Sequence, residues 1–395
     1  MSRINDLIKE LCPNGVIYKK YGDVFEIKTG KGITTKEATD DGLYPIISGG
    51  TTPMGYYHSY NRDENIVTVS RVGANAGYVN FITEKFYLND KCFSIIPKDE
   101  FVKCFIPKYI YYYTKNIENK IMELQSEGGV PTINTQKVSN LLMPMLPIDV
   151  QLEIINILDK FGGLEAELEA ELEARKSQYE FWRGKVFNRD KETIVTLETI
   201  GDVTKLAGFE FSKYVHYSDE GNVIALRGLN VKNGHLVLDD VKYVDNSDFS
   251  KLNRSKLYEN DILYTYVGTV GQVGLVDKND KYYLAPNVAR IRIFDKKVNP
   301  KYVMHFLLTA EFKINQLESL SGTSSMKNIT MTNIRKFKIP VPSLQEQERV
   351  VNILDKFDAL VNDITEGIPA EIELRRQQYE YYRNKLLSFE EFLNE

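Results

Sequence analysis

The residues that most enzymes rely on are scarce in this sequence. Its 395 residues hold four histidines, three cysteines and one tryptophan. The histidines stand at 58, 216, 235 and 305, with no spacing that suits a metal centre or a nucleophile and its base. Cys12, Cys92 and Cys104 are odd in number and dispersed, which excludes a disulfide scaffold and a cysteine zinc site and points to reduced thiols in a cytoplasmic protein. No apolar run approaches the roughly 20 residues of a membrane span, and Met1–Asp6 opens no signal peptide. There is no glycine-rich dinucleotide fingerprint after a strand, and no Asn/Asp-Pro-Pro-aromatic tetrapeptide of the amino-methyltransferase kind. Thr29-Gly30-Lys31-Gly32 fails as a phosphate loop, because Phe25 stands where the first glycine belongs and no Ser or Thr follows the lysine. The weight therefore moves from catalysis to binding. No catalytic residue and no metal ligand is assigned.

What the chain does have is a long helical stretch, Leu152 to Phe187. Its middle, Leu164 to Ala174, reads LEAELEAELEA, with leucines at 164, 168 and 172 every four residues on one stripe and glutamates facing water. Asn156-Ile157-Leu158-Asp159-Lys160-Phe161 recurs unchanged as Asn352-Ile353-Leu354-Asp355-Lys356-Phe357, 196 residues on. Beyond it, Arg175, Gln178, Tyr179, Glu180, Arg183 and Lys185 recur as Arg375, Gln378, Tyr379, Glu380, Arg383 and Lys385 at an offset of 200, so the second helix is expected to be one turn longer. Ahead of the helices Gln151 matches Gln347 and Ile133 matches Ile329, and weaker echoes link Gly22-Asp23-Val24 to Gly201-Asp202-Val203, Asn65-Ile66-Val67 to Asp261-Ile262-Leu263, and Pro107-Lys108-Tyr109 to Pro300-Lys301-Tyr302. The chain is a tandem duplication of a module followed by a long helix.

Four segments follow: a module at 1–148, a helical region at 149–187, a second module at 188–344 and a second helical region at 345–395. Residues 149–187 carry 9 acidic against 5 basic side chains and 345–395 carry 12 against 6, whereas the modules are mildly basic, 17 against 16 and 22 against 18. That segregation permits the modules to meet phosphate while the helices face elsewhere. Two merely solvated helices would show the same charges.

Tyr44–Ile47 and Ile66–Val69 read as short strands between turns, and Pro107–Leu124 and Pro300–Leu320 as amphipathic helices. Packing explains Tyr111-Tyr112-Tyr113 better than base stacking does. Gly162-Gly163 marks an expected joint in the first long helix, and Gly367 a break before a new helix from Pro369. Apolar or aromatic residues at 168, 172, 179, 182 and 186, and at 368, 372, 379, 382 and 386, are spaced for two helices that pair as a coiled coil, with Arg175 and Arg375 interrupting the pattern.

The duplicated plan, the Pro-x-x-x-Ile/Leu-x-x-Gln lead-in to Asn-Ile-Leu-Asp-Lys-Phe, the Leu-Glu-Ala-Glu repeats and the Arg-Lys/Arg-x-Gln-Tyr-Glu closures resemble the DNA-specificity subunit of Type I restriction-modification systems. The resemblance implies an α+β protein: two globular target-recognition domains on two long antiparallel helices, related by an internal pseudo-twofold. It implies that each module reads half of a bipartite double-stranded DNA site, and that the helices set the spacer and bind two methyltransferase subunits, through which restriction-motor subunits join. S-adenosylmethionine, ATP and magnesium would be used by those partners and not by this chain. Polar and basic residues near glycine-containing loops are the candidate DNA contacts. In the first module these are Lys28, Thr29, Lys31, Ser70, Arg71, Asn75, Gly128, Gly129 and Asn134. In the second they are Lys205, Arg227, Tyr266, Thr269, Gln272, Ser321, Thr323, Ser324, Lys327 and Asn328. Leu164, Leu168, Leu172, Tyr179 and Trp182, with Ile364, Ile368, Ile372, Tyr379 and Tyr382, are the candidates for helix pairing. A coiled-coil scaffold without a nucleic-acid role stays open at this point, although such a protein has no use for polar, glycine-containing loops at matching places in both modules.

Overall fold

The computed structural model describes residues 2–126, 129–187, 193–318, 328–363 and 365–389. Gly128, Ser321, Thr323, Ser324, Lys327 and Ile364 lie outside these described residues. The chain forms two compact units, residues 1–168 with 372–395 and residues 169–371, so each long helical region contributes to both.

In the first unit an antiparallel sheet orders its strands Phe25–Thr29, Cys92–Pro97, Ile66–Ser70 and Val79–Ile82. Ile66–Ser70 is β-branched at four of its five positions, which favours a pleated, buried conformation, and the left-handed Asn65 (φ 61°) turns the chain into it. Val67, Val69, Phe93 and Ile95 are buried beneath Tyr109, Ile110, Tyr112 and Tyr113 of the helix Pro107–Asn116. The tyrosine run is therefore core. Its helix stops at Ile117, and Glu118–Met122 follows as a separate helix, where one helix to Leu124 was expected.

The second unit repeats this plan with Gly201–Lys205, Val288–Ile293, Ile262–Thr265 and Val273–Leu275. Each unit also has a three-stranded sheet with one parallel pair, Tyr44–Ile47 with Tyr87–Leu88 and Ile224–Leu226 with Tyr282–Leu284. Strand pairing corrects two of the sequence echoes. Val67 faces Ile95 and Ile262 faces Ile291, so the left-handed Asn65 corresponds to the left-handed Asn260 (φ 68°) and not to Asp261. Gly201 begins the strand equivalent to Phe25–Thr29, so it does not correspond to Gly22, which lies in the short helix Tyr21–Val24. In the second unit the helix Pro300–Leu307 gives way to Ala310–Phe312 and a π-turn at Lys313–Leu317, so here too the expected single helix is divided.

The helix Ile148–Phe187 runs 40 residues without a break, so Gly162-Gly163 is no joint. Neither glycine has a positive φ or a neighbour a Cβ would meet, and the surrounding Leu, Ala and Glu carry the helix through. The second region does break, between Leu344–Asn362 and Ile368–Leu386. Its four extra residues fall in this turn and add no turn of helix. Gly367 is required there, since a Cβ would sit 2.6 Å from the carbonyl oxygens of Ala359 and Asp363.

In the first unit the leading helix and the Ile368–Leu386 helix run antiparallel: Phe161 stacks on Tyr382 at 5.3 Å, and further along Glu165 meets Arg376 at 2.6 Å. Tyr379 and Tyr382 pack on this unit's core, Ile372 is buried and Leu168 half-buried. In the second unit Tyr179 stacks on Phe357 at 6.0 Å, Leu172 packs on the core and Ile368 is buried. Two of the expected pairing residues face solvent, Leu164 at 46% and Trp182 at 43% exposure. The buried position beside Trp182 is taken by Arg183, whose guanidinium lies over the Tyr179 ring at 4.1 Å.

A buried glutamine joins module to helix in both copies. The Gln151 carboxamide accepts from the Ile106 N–H and donates to the carbonyls of Cys104 and Leu146; Gln347 accepts from Asn299 and donates to Lys297 and Pro342. About two turns on, Asp159 receives Lys108 and the Tyr112 hydroxyl, and Asp355 receives Lys301 at 2.9 Å and His305 Nε2 at 3.0 Å. Gln151→Ala or Gln347→Ala leaves buried backbone groups without partners and is expected to cost about 3 kcal/mol, measured by urea denaturation.

The histidine makes the second joint sensitive to acid. Burial pushes the His305 imidazole below its ordinary range despite Asp355, so the unfolded chain binds a proton that the folded chain refuses. Its contribution to stability is complete above about pH 6.5 and is lost as pH falls from there toward the folded value. His235, 2.8 Å from Asp358, is raised by that bond, so its contribution is complete below about pH 6.5 and is lost as pH rises through the folded value. On acidification from pH 7 to 5, His305→Gln is expected to lose less unfolding free energy than the parent, and His235→Gln more.

Candidate nucleic-acid interface

Both modules carry the same loop constellation at one end of the four-stranded sheet. In the first, the chain leaves Ser70 into a loop that returns at Gly77, whose N–H bonds the Ser70 carbonyl at 2.7 Å. Gly73 (φ 102°) and Gly77 (φ 100°) supply the left-handed turns. Arg71 is held on both sides, its N–H on the Lys91 carbonyl at 2.8 Å and its carbonyl on the Ile133 N–H at 2.8 Å. The Arg71 guanidinium is half-buried and donates one N–H to the Asp90 carbonyl at 3.3 Å. Asn75 braces the loop by donating to the Gly49 carbonyl at 3.2 Å.

In the second module Thr265 is the counterpart of Ser70, and Gly268 (φ 80°) and Gly271 (φ 88°) replace the two glycines. Tyr266 stands where Arg71 stands, its N–H on the Asn287 carbonyl at 3.1 Å and its carbonyl on the Ile329 N–H at 3.0 Å. The Lys205 ammonium lies 5.3 Å from the Tyr266 ring. The Thr265 hydroxyl donates to the Thr269 carbonyl and accepts from the Gln272 N–H, so backbone atoms of Thr269 and Gln272 hold the loop shut.

The candidates thus separate by environment. Arg71, Lys31, Gly129 (φ 82°), Lys205, Tyr266, Thr269 and Asn328 are exposed or half-buried in or beside these loops, Gln272 is half-buried at the foot of the second loop, and Thr29 ends the edge strand. Ser70 is a correction: at 3% exposure its hydroxyl lies in the core beside Cys92, whose thiol burial raises to about 11. Asn134 caps the helix Thr135–Ser139 by accepting from the Gln136 N–H, and Lys28 is paired with Glu26. Arg227 is fastened to Asp240 at 2.7 Å, as Arg290 and Arg292 are to Asp202 and Asp261, so part of the second module's basic excess is spent internally. Two residues were missed, Lys91 and Asn287, both exposed on the turn that abuts these loops. The signal was the Leu88-Asn89-Asp90-Lys91 and Leu284-Ala285-Pro286-Asn287 turns, at the same 196 offset as the helices.

Two α+β modules of one design, each presenting a glycine-hinged loop with different side chains, on long helices each shared between the two compact units, define a duplicated recognition protein. The profile described as the Type I restriction modification DNA specificity domain matches residues 13–174 and 193–374, and the chain belongs to this family. It is 32% identical over 293 residues to the EcoR124I/EcoR124II type I restriction enzyme specificity subunit of Escherichia coli, covering 71% of this chain and 70% of that one. A putative type I specificity subunit of Haemophilus influenzae is 29% identical over 86% of this chain and 87% of its own. Among solved structures, a chain from work on complex assembly and conformational transition of the type I R-M system superposes with a TM-score of 0.65 at 14% identity, covering 95% of this chain and 98% of that one. The S subunit from M. genitalium superposes at 0.54 with 16% identity over 94% and 96%.

The two arginines provide a contrast. Arg71→Ala is expected to weaken binding to the specific duplex by about 1–3 kcal/mol while sparing random DNA. Arg227→Ala, already satisfied by Asp240, is expected to lower stability by about 1 kcal/mol and leave affinity within about twofold. Fluorescence anisotropy on specific and random duplexes, beside urea denaturation, checks both.

Proposed function

We propose that this chain is the non-catalytic, sequence-reading subunit of a Type I restriction-modification complex, in which each module reads one half of a bipartite, asymmetric DNA site. The observation that carries this reading is the paired loop constellation: identical backbone bracing, with Arg71 in one module and Tyr266 at the same place in the other. Equal scaffolds bearing unequal side chains suit two half-sites of different sequence. The long helices set the spacer and dock two methyltransferase subunits, through which motor-nuclease subunits join. The methyltransferase subunits supply the S-adenosylmethionine chemistry on adenine, and the nuclease subunits use ATP and magnesium.

The chain alone is expected to transfer no methyl group, and its complex with co-expressed methyltransferase subunits to methylate one adenine in each half-site. Robust transfer of labelled methyl groups by the purified single chain would overturn this. The Leu164–Ala174 repeat provides a second test. Inserting one Leu-Glu-Ala-Glu lengthens the helix by about 6 Å and turns it about 40° past a full turn. One base pair advances the duplex by about 3.4 Å and about 34°. The spacer is expected to lengthen by one base pair with both half-sites unchanged, and to shorten by one on deleting Leu168–Glu171. Sequencing the methylated genome of a host carrying each variant measures it, and an unaltered spacer in an active variant refutes the ruler.

A further inference from the structure

The turn that precedes the central strand of each sheet abuts the reading loop in both modules, and the comparison of the two copies isolates one position on it. Lys91 and Asn287 are equivalent: each offers its carbonyl to the N–H of the loop's first residue, Arg71 at 2.8 Å and Tyr266 at 3.1 Å. Both side chains are exposed. In the second module the Tyr266 ring is covered by Lys205, whose ammonium lies 5.3 Å from its centre. The Asn287 carboxamide is left without a hydrogen bond among the described residues. In the first module the Lys91 ammonium is held only loosely, 3.9 Å from the Asp90 carboxylate, while the Arg71 guanidinium donates to the carbonyl of the same residue.

A turn requirement bears on this position in the second module only. Asn287 is left-handed (φ 69°), a conformation asparagine tolerates, yet Lys91 at the same place is not among the residues with positive φ. The left-handed step therefore favours asparagine at 287 and places no such demand on Lys91. A free carboxamide on a rigid turn can engage adenine at N6 and N7 together, and a lysine beside an arginine suits the O6 and N7 acceptors of guanine.

We infer that Asn287 and Lys91 are specificity-determining positions, Asn287 reading an adenine in the second half-site and Lys91, with Arg71, a guanine in the first. This rests on the proposed role in DNA reading and adds which atoms read. The test selects duplexes from a random-sequence pool with the full chain bound to its methyltransferase subunits. The parent is expected to enrich a bipartite motif, with adenine at one place in one half and guanine at one place in the other. A parent that enriches no motif overturns the DNA-reading proposal itself.

Asn287→Gly retains the left-handed turn and removes only the carboxamide. It is expected to lower the preference for that adenine by roughly tenfold and to keep the first half-site intact. Asn287→Asp, equally at ease in this turn, accepts where the amide donated and is expected to shift the preference from adenine to cytosine, whose N4 amino group donates. Lys91→Ala is expected to relax the guanine in the first half-site alone. If Asn287→Gly enriches the parental second half-site, or Asn287→Asp still enriches adenine, the residue only makes the turn and the inference falls while DNA reading stands. Loss of both half-sites in Asn287→Gly also overturns it, because a reading residue acts on its own half.

Discussion

The structure depends first on two fully buried side-chain amides. Gln151 and Gln347 each sit where three segments of chain converge, and each satisfies one N–H and two carbonyls that no regular element could reach. A buried polar group is tolerable only when its hydrogen bonds are complete, and completeness fixes geometry. Given that anchor, the first turns of each long helix can lie only one way against the module, and the Asp159 and Asp355 clusters reinforce the same orientation. A reading surface at the far end of a module has a defined direction only because its attachment to the helix is rigid.

Much of this was legible in the residues. Asn-Ile-Leu-Asp-Lys-Phe repeats because each of its parts has a task at the joint: Leu158 and Leu354 are fully buried, the aspartates receive lysine, and Phe161 and Phe357 stack on tyrosines of the other helical region. What misled was local pattern without tertiary context. Gly162-Gly163 looks like a hinge, but glycine only permits a break, and here the flanking residues hold the helix. Gly367 does break it, because a neighbouring backbone already occupies the space of a side chain. The Asn65 and Gly22 echoes failed because short matches do not define strand register, which is set by hydrogen-bond partners distant in sequence.

The reading loops were the harder part. Their glycines could be seen, but not which side chains they would leave outside. Ser70 and Arg71 are adjacent in sequence and opposite in environment, one the last residue of a strand buried on both faces and one the first residue of the loop beyond it. Asn134 and Arg227 have the chemistry of DNA contacts and are engaged within the protein. Lys91 and Asn287 stand among turn residues that form no motif, so the shared offset of 196 was their only mark in the sequence, and strand pairing is what sets them against the loops.

The partition of the long helices has a bearing on the order in which this protein is built. The core of the first unit includes Leu386 and Leu387, and its contacts reach from Tyr18 to Phe389, 371 residues away, and from Asn116 to Arg383, 267 away. The second unit draws only on residues 169–371. On the ribosome the module made first is therefore completed last, after the second has been synthesised entire. Until its final helix emerges, the first unit presents an uncovered apolar flank, and a chain that stops early leaves that flank open for good.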